Sequence, residues 1–310
     1  MKAKRVQDIT LVRYSAALRE FDQYMKRRKL KCTSIQRVDR YMAEYFADLC
    51  DQGASYNSAT YVLFGYLMLR ADECIPDKQL MSHSRAALKG WSSKYPQCSR
   101  TGADPLIWFL LGSHMHASFA AALLLQLDTY ARPSEILKLR KQDIIRPSSK
   151  HCKFWGVIFG NSNRGDVTKT GTQDDTVLLD STDRAFAVTV LAAIYKSLRR
   201  DEDLLFPSCT LEKYETAMRA ARQRAGLSAF QFTPHSVRHS GPSLDFLHNT
   251  RLPEEILSRG RWKTMKSILR YQKPGQMLSR MNKIPQQVWD EAKLALPKVL
   301  RQIKQFYSGG

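Results

Sequence analysis

Apolar residues recur at spacings of three and four through the first part of the chain, which is the period of an amphipathic helix. The first apolar stripe consists of Leu11, Tyr14, Leu18, Phe21 and Met25. A second stripe follows Ser34, ends before Gly53, and consists of Val38, Tyr41, Tyr45 and Leu49. Two further helices are expected, from about Ser58 to Leu69 and from Asp77 to about Trp91. The pattern predicts an all-α unit over residues 1–95.

A polar stretch that contains Pro and Gly and lacks periodicity follows this unit. We interpret residues 96–104 as a linker between two domains. The second domain, residues 105–310, opens with apolar helices from about Leu106 to Leu127. Two β-rich segments, Phe154 to Gly160 and Thr176 to Asp180, then interrupt the helical pattern. The predicted fold is mainly α with a small β-sheet, in which an all-α N-terminal domain precedes an α+β domain.

The helical pattern returns at about Asp183 and continues to the end of the chain. After a break expected at Pro274 and Gly275, a last amphipathic helix is predicted from Gln286 to Phe306, with a kink at Pro297. One interpretation of this pattern is a helix that packs on its own domain.

The charge balance narrows the choice of partners. The chain of 310 residues has 49 Lys and Arg against 29 Asp and Glu, a formal net charge of +20. Such an excess favours a polyanionic partner, nucleic acid or an anionic membrane surface, although a basic protein without an anionic partner is an alternative. The apolar run Ala121 to Leu127 is too short to span a bilayer. The amino terminus lacks the apolar region of a secretory signal, so a cytoplasmic or nuclear location is expected.

No cofactor or metal is expected. The six cysteines are scattered, with no CxxC pair and no Cys/His spacing suited to zinc. They are interpreted as reduced thiols.

Several polar residues of the second domain have side chains suited to phosphodiester chemistry. These residues are Arg132, Lys169, His235, Arg238, Trp262 and Tyr271. Arginines can hold the charge that develops on a phosphate, and Lys or His can transfer protons. A tyrosine becomes a nucleophile when cations stabilise its phenolate. Each residue alone is more often a surface, ion-pair or core residue, so only their order and spacing carry a functional interpretation.

In that order, these segments resemble the tyrosine recombinases, the phage-integrase-like and Cre-like site-specific DNA recombinases. ARPSEILKLRKQDI resembles the family's first arginine box, with Arg132 as a phosphate-binding arginine and Glu135 as its supporting acid. TPHSVRHS resembles the HxLRH box and contains His235, Arg238 and His239.

The remaining two segments complete the resemblance. TKTGTQDDTVLL resembles the family's β-hairpin segment, in which Lys169 would be the general acid. GRWKTMKSILRY keeps the spacing of nine residues between Trp262 and Tyr271, which would be the nucleophile. The chain departs from the family pattern in Tyr130–Ala131, where Gly-Leu is common, and in Gly241–Pro242, which interrupt a usually continuous helix.

The resemblance implies an enzyme that cleaves and rejoins double-stranded DNA through a 3′-phosphotyrosyl intermediate, without metal or cofactor. It also implies a core-binding N-terminal domain and a homo-tetramer assembled through the C-terminal helix on paired DNA sites. Additional DNA-binding candidates are Lys26, Arg27, Arg28, Arg270 and Lys273. The alternatives are a type IB topoisomerase, a catalytically silent DNA-binding module of the same fold and, more remotely, a membrane-surface protein.

Overall fold

A computed structural model describes residues 8–70, 81–95, 101–148, 153–166, 175–272 and 274–309. The chain divides into two compact units, Met1–Cys98 and Ser99–Gly310. No helix in the described part of the chain is both long and apolar enough to cross a membrane.

The described residues of the first unit are helical. Its helices are α1 (Asp8–Arg27), α2 (Ile35–Asp51), α3 (Tyr56–Leu69) and α4 (Ser82–Lys94). The predicted start of the fourth helix at Asp77 lies outside the described residues. Ser34 caps α2 by accepting a hydrogen bond from the backbone N–H of Arg37, and the left-handed Gly53 follows the end of α2.

Apolar stripes of the four helices form the core of this unit. Phe21, Val38, Met42 and Phe46 are all buried there. Asp39, also buried, accepts hydrogen bonds from the backbone N–H groups of His83 and Ser84 at 2.9 and 2.8 Å, which ties α2 to the start of α4.

The second unit is helical around a small antiparallel sheet. Its helices are α5 (Pro105–Ser113), α6 (Ala117–Thr129), α7 (Pro133–Ile136), α8 (Phe186–Ser197), α9 (Leu211–Arg224), α10 (Pro234–His248), α11 (Pro253–Arg259), α12 (Met265–Ile268), α13 (Pro274–Met281), α14 (Gln286–Lys293) and α15 (Ala295–Ser308). Its described strands, in sheet order, are β1 (Ile144–Ile145), β2 (Gly156–Phe159) and β3 (Asp175–Leu178). The predicted mainly α fold with a small sheet is confirmed.

Helix α6 lies at the centre of the second unit, since all its residues except the partly buried Phe119 are buried. Helices α5, α8, α10 and α15 all pack against it. Thr101, Gly102 and Ala103 are buried in this unit as well, and the Ala103 N–H donates to Ser240 Oγ at 2.8 Å. The packing of these helices holds the end of α6 in place, and the end of α6 in turn positions the turn that follows it.

The C-terminal region differs from its sequence prediction in two places. Pro274 begins helix α13, so the break expected there is wrong. The expected single helix is two helices, α14 and α15, which meet at Leu294. Pro297 lies in the first turn of α15, where a missing N–H costs no intrahelical hydrogen bond.

Candidate active site

The turn after α6 places Arg132 and Glu135 side by side. Arg132 is the N-cap of α7, and Pro133 occupies the first helical position. The Glu135 carboxylate accepts from the backbone N–H of Arg132 at 2.8 Å and also pairs with the Arg132 guanidinium. This local arrangement follows from the sequence, because a glutamate three residues after a helix N-cap can reach back to it.

Glu135 binds two further arginines from distant parts of the chain. Its Oε2 lies 2.8 Å from Nη2 of Arg261 and 3.7 Å from Nη1 of Arg238. Burial alone would raise the pKa of Glu135, but the charges of Arg261 and Arg132 lower it to about 2. The carboxylate is therefore ionised at neutral pH and can hold the guanidinium groups around it.

Arg238 is a buried cation held by backbone oxygens. It lies on α10 with 4% of its surface exposed. Its guanidinium donates to the carbonyl of Tyr130 and, at 2.7 Å, to the carbonyl of Gly260. Burial and the nearby charge of Arg261 lower the pKa of Arg238 to about 10, so the group stays protonated at neutral pH.

Helix α10 continues through Gly241 and Pro242, so the interruption expected there is wrong. A proline inside a helix has no N–H to donate to the carbonyl four residues earlier, so Pro242 leaves the Arg238 carbonyl without its usual helical hydrogen bond. Tight packing retains the helix nevertheless, since Ser240, Gly241, Pro242 and Ser243 are all buried.

The turn after α11 brings Trp262 against Arg238. Helix α11 ends at Arg259, and Arg261 has a left-handed backbone with a φ of 56°. A Cβ atom on Gly260 would overlap the Trp262 indole, so this turn requires glycine. The Arg238 guanidinium lies 4.7 Å from the centroid of the Trp262 ring, a cation–π contact.

Tyr271 lies at the end of a 3-10 turn that follows α12. Its side chain is buried, with 5% exposed. Its ring centroid is 4.6 Å from that of Trp262 and 4.8 Å from that of His239. Ser243 Oγ donates to the Tyr271 carbonyl at 3.0 Å, which ties the turn to α10.

The histidines of the HxxRH segment share α10 with Arg238. His235 and His239 are both half-buried. His235 lies one helical turn before Arg238, so the two residues are on the same face of the helix. The structure thus brings Arg238 and His239 into contact with the Trp262–Tyr271 pair, and it connects Arg132 to Arg238 through Glu135.

The structure does not place every candidate. Lys169 and Lys273 lie outside the described residues, as does the side chain of Arg270. Lys26 and Arg27 are exposed at the end of α1.

Arg28 follows α1 and forms an ion pair with Asp48 at 2.7 Å. It also lies over the Tyr24 ring, with its guanidinium carbon 4.8 Å from the ring centroid.

Sequence reasoning missed Arg261 and a buried ionic network beside it. In that network Arg259 pairs with Asp128 at 2.9 Å, and Arg184 pairs with Asp245. Burial raises the pKa of Asp245 to about 6. The segment Arg259–Gly260–Arg261 before Trp262 was the only sequence feature that pointed to these arginines. The sequence does not reveal that they are buried.

Structural comparison identifies the architecture. The chain resembles the XerH site-specific recombinase bound to palindromic difH substrate in a post-cleavage complex, with a TM-score of 0.56 and 16% identity over 88% of this chain and 78% of that chain. Another XerH complex, described as pre-cleavage, gives a TM-score of 0.44 at 14% identity over 80% of this chain and 77% of that one. The XerA recombinase gives 0.39 at 16% identity over 91% and 94%, and the last two scores are too low to add support. No protein-family model and no curated protein sequence matches the chain.

The chain has the tyrosine recombinase fold. At this identity, the similarity establishes the architecture.

Proposed function

We propose that this chain is a site-specific DNA strand transferase that cleaves and rejoins duplex DNA through a 3′-phosphotyrosyl intermediate. One observation carries the proposal. Arg132, Glu135 and Arg238 form one linked group, and Arg238 contacts the indole that packs against Tyr271. These are the residues that the motif resemblance selected from three separate segments.

The proposed reaction begins with attack of the Tyr271 oxygen on a scissile phosphate. The bond from phosphorus to the 5′ oxygen breaks, and a 3′-phosphotyrosyl bond forms. Arg132 and Arg238 would hold the negative charge that develops on the non-bridging oxygens, with Trp262 and His235 as further hydrogen-bond donors. Lys169 would protonate the departing 5′ oxygen.

Rejoining would reverse this step with a 5′-hydroxyl from a partner duplex. One phosphoester replaces another, so the exchange needs no nucleotide hydrolysis. The residues proposed for cleavage and rejoining include five that the structure describes: Arg132, His235, Arg238, Trp262 and Tyr271. The proton donor, Lys169, is proposed from the motif alone. The substrate class is double-stranded DNA, which places the proposed activity in the cytoplasm or nucleus.

The arrangement of subunits belongs to the proposal too. Paired DNA sites would be held by a homo-tetramer with contacts through the C-terminal helix. In the single chain, α15 packs on α5 and α8 of its own unit, so a helix passed to a neighbour would first have to leave that position.

This packing also favours a second candidate, a type IB topoisomerase acting as a monomer. A topoisomerase would relax supercoiled plasmid without paired sites. A recombinase would need two copies of its site before strands exchange. Relaxation of a plasmid that carries no target site, at one protein per plasmid, would favour the topoisomerase.

The chemistry can be tested by trapping the covalent intermediate. A duplex nicked close to the cleavage site loses a short strand after attack, which prevents rejoining. The wild-type chain is expected to form a denaturation-resistant adduct on such duplexes selected from a randomised pool. Tyr271→Phe should bind the same duplexes and form none. An adduct of equal yield with Tyr271→Phe would overturn the assignment.

A further inference from the structure

Tyr130 has an unusual conformation for a large residue. It ends α6 in the left-handed region, with a φ of 53°, and its side chain is fully buried. Such a backbone favours glycine and is unfavourable for a bulky side chain. The surrounding structure must therefore hold Tyr130 in place.

Gly241 supplies the space for the Tyr130 ring. It lies inside α10, where glycine is a poor helix former. A Cβ atom at this position would overlap the Tyr130 ring and approach the Leu127 carbonyl oxygen to 2.6 Å. The two departures from the family pattern, Tyr130 and Gly241, are thus in contact, and the glycine accommodates the aromatic ring.

The far end of the ring is anchored in the ionic network. The Tyr130 hydroxyl donates to the Asp245 carboxylate, which also pairs with Arg184. The guanidinium carbons of Arg184 and Arg259 lie 5.7 and 5.5 Å from the centroid of the Tyr130 ring. A buried aromatic ring with its hydroxyl bonded and two cations beside it has little freedom to move.

The near end of Tyr130 reaches the candidate active site. Its carbonyl accepts a hydrogen bond from the Arg238 guanidinium. Its ring lies 6.4 Å from that of Trp262, between centroids. Trp262 in turn packs against Tyr271.

From these contacts, we infer that Tyr130 is a positioning residue that, seated on Gly241, fixes the Arg238 guanidinium and the Trp262 indole relative to Tyr271. It does not touch the reacting atoms. The expected effect of Tyr130 on the rate of DNA cleavage rests on the proposed function. Its effect on the position of Trp262 does not.

Replacing Tyr130 by glycine tests the ring, because glycine suits the left-handed backbone and keeps the carbonyl. Tyr130→Gly is expected to slow adduct formation at saturating DNA by about tenfold to a hundredfold, with the Kd for DNA changed by less than about twofold. Gly241→Ala should slow adduct formation at least as much, because its Cβ would displace the same ring and would also press on the Leu127 carbonyl oxygen. An unchanged rate in Tyr130→Gly or in Gly241→Ala would refute the inference.

A second readout is independent of DNA cleavage. The indole N–H resonance of Trp262, assigned by its loss in Trp262→Phe, should shift in Tyr130→Gly. Tyr130→Phe keeps the ring and loses the hydrogen bonds of the hydroxyl with Asp245 and Arg184, so it should fold even if Tyr130→Gly does not. It should move the same resonance less and slow adduct formation by roughly twofold to fivefold. An unmoved resonance and an unchanged rate in Tyr130→Phe would contradict the hydroxyl anchor.

Two control variants separate positioning from general destabilisation. Tyr307→Phe removes another tyrosine hydroxyl bond, to the Leu205 carbonyl at 3.3 Å. Gly112→Ala crowds another helical glycine, where a Cβ would lie 3.3 Å from Val299. Neither should shift the Trp262 resonance or the adduct rate. If the wild-type chain forms no adduct, the proposed function fails, and the resonance alone decides whether Tyr130 positions Trp262.

Discussion

Glu135 is the residue on which the charges of the candidate active site converge. Arg132 precedes it by one turn, while Arg238 and Arg261 reach it from α10 and from the turn after α11. Three guanidinium groups would repel one another without an ionised carboxylate between them. Glu135 therefore fixes the positions of the two arginines proposed to bind phosphate, and its loss should affect both stability and activity.

The pH dependence of stability should report the ion pairs of Glu135. Its pKa is lowered from 4.5 to about 2 in the folded chain. A carboxyl with a lowered pKa stabilises the fold above its unfolded pKa, and this contribution is lost as pH falls towards the folded pKa. Glu135→Gln should therefore lower the free energy of unfolding at pH 7 by on the order of 3 kcal/mol. By pH 3 the difference should shrink to roughly half or less.

Urea unfolding of wild type and Glu135→Gln across this pH range measures the difference. The matched control is Glu212→Gln, an exposed glutamate on α9, which should change stability little at any pH. A Glu135→Gln deficit that is equally large at pH 7 and pH 3 would exclude the ion pairs as its source.

At the scale of elements, the short segments position the site and the long helices support them. The catalytic candidates lie at the end of α6, on α10 and in the turns around α12. Helix α15 packs on α5, α6 and α8, with Val299 and Ile303 fully buried. Gln302 Nε2 donates to the Met115 carbonyl at 2.6 Å. Helix α15 is thus part of the core of its own unit.

Shortening a buried side chain of α15 should destabilise the second unit. Ile303→Ala is expected to cost about 2 to 5 kcal/mol, because it leaves a cavity between α15 and the helices beneath it. Leu294→Ala, at a position that is 76% exposed, should cost little. Thermal or urea unfolding of the two variants measures the difference. Equal and small losses would show that α15 is not a fixed part of this unit, as a helix exchanged between subunits requires.

The sequence predicted long periodic helices better than it predicted turns. The stripes of α1 and α2 and the apolar α5 and α6 lie where their periodicity indicated, because burial of one face decides such helices. Gly241 and Pro242 misled the prediction, since glycine and proline are poor helix formers unless tertiary packing decides. Here the Tyr130 ring fills the space beside Gly241.

The site could be predicted in part. Motif spacing selected residues that lie together, such as Trp262 and Tyr271. Arg261 could not be selected, because its role depends on a left-handed turn and on a carboxylate 126 positions away in the chain. Long-range pairing of charges leaves no local pattern in a single sequence.

At the scale of the whole molecule, the excess of positive charge should govern DNA affinity. With a net charge of +20, binding to duplex DNA should release counterions and weaken steeply with salt. Lys26 and Arg27 are exposed at the end of α1 and are proposed to contact the DNA backbone. Replacing both with Ala should make the slope of log Kd against log salt shallower by about 2.

The slope can be measured by fluorescence anisotropy with a labelled duplex over a salt series. Arg200→Ala serves as the control, because Arg200 is exposed and pairs with Glu202 and Asp203. It should leave the slope unchanged. An unchanged slope in the Lys26 and Arg27 double variant would remove this end of α1 from the DNA interface.

The central claim is that Tyr271 attacks DNA, and the direct measurement identifies the bond it forms. The adduct trapped on a nicked duplex would be digested with nuclease and trypsin, and its modified peptide sequenced by mass spectrometry. We expect a nucleotide joined through its 3′-phosphate to Tyr271, and a free 5′-hydroxyl on the released strand. A nucleotide attached to any other residue, or a 5′-phosphate linkage, would contradict it.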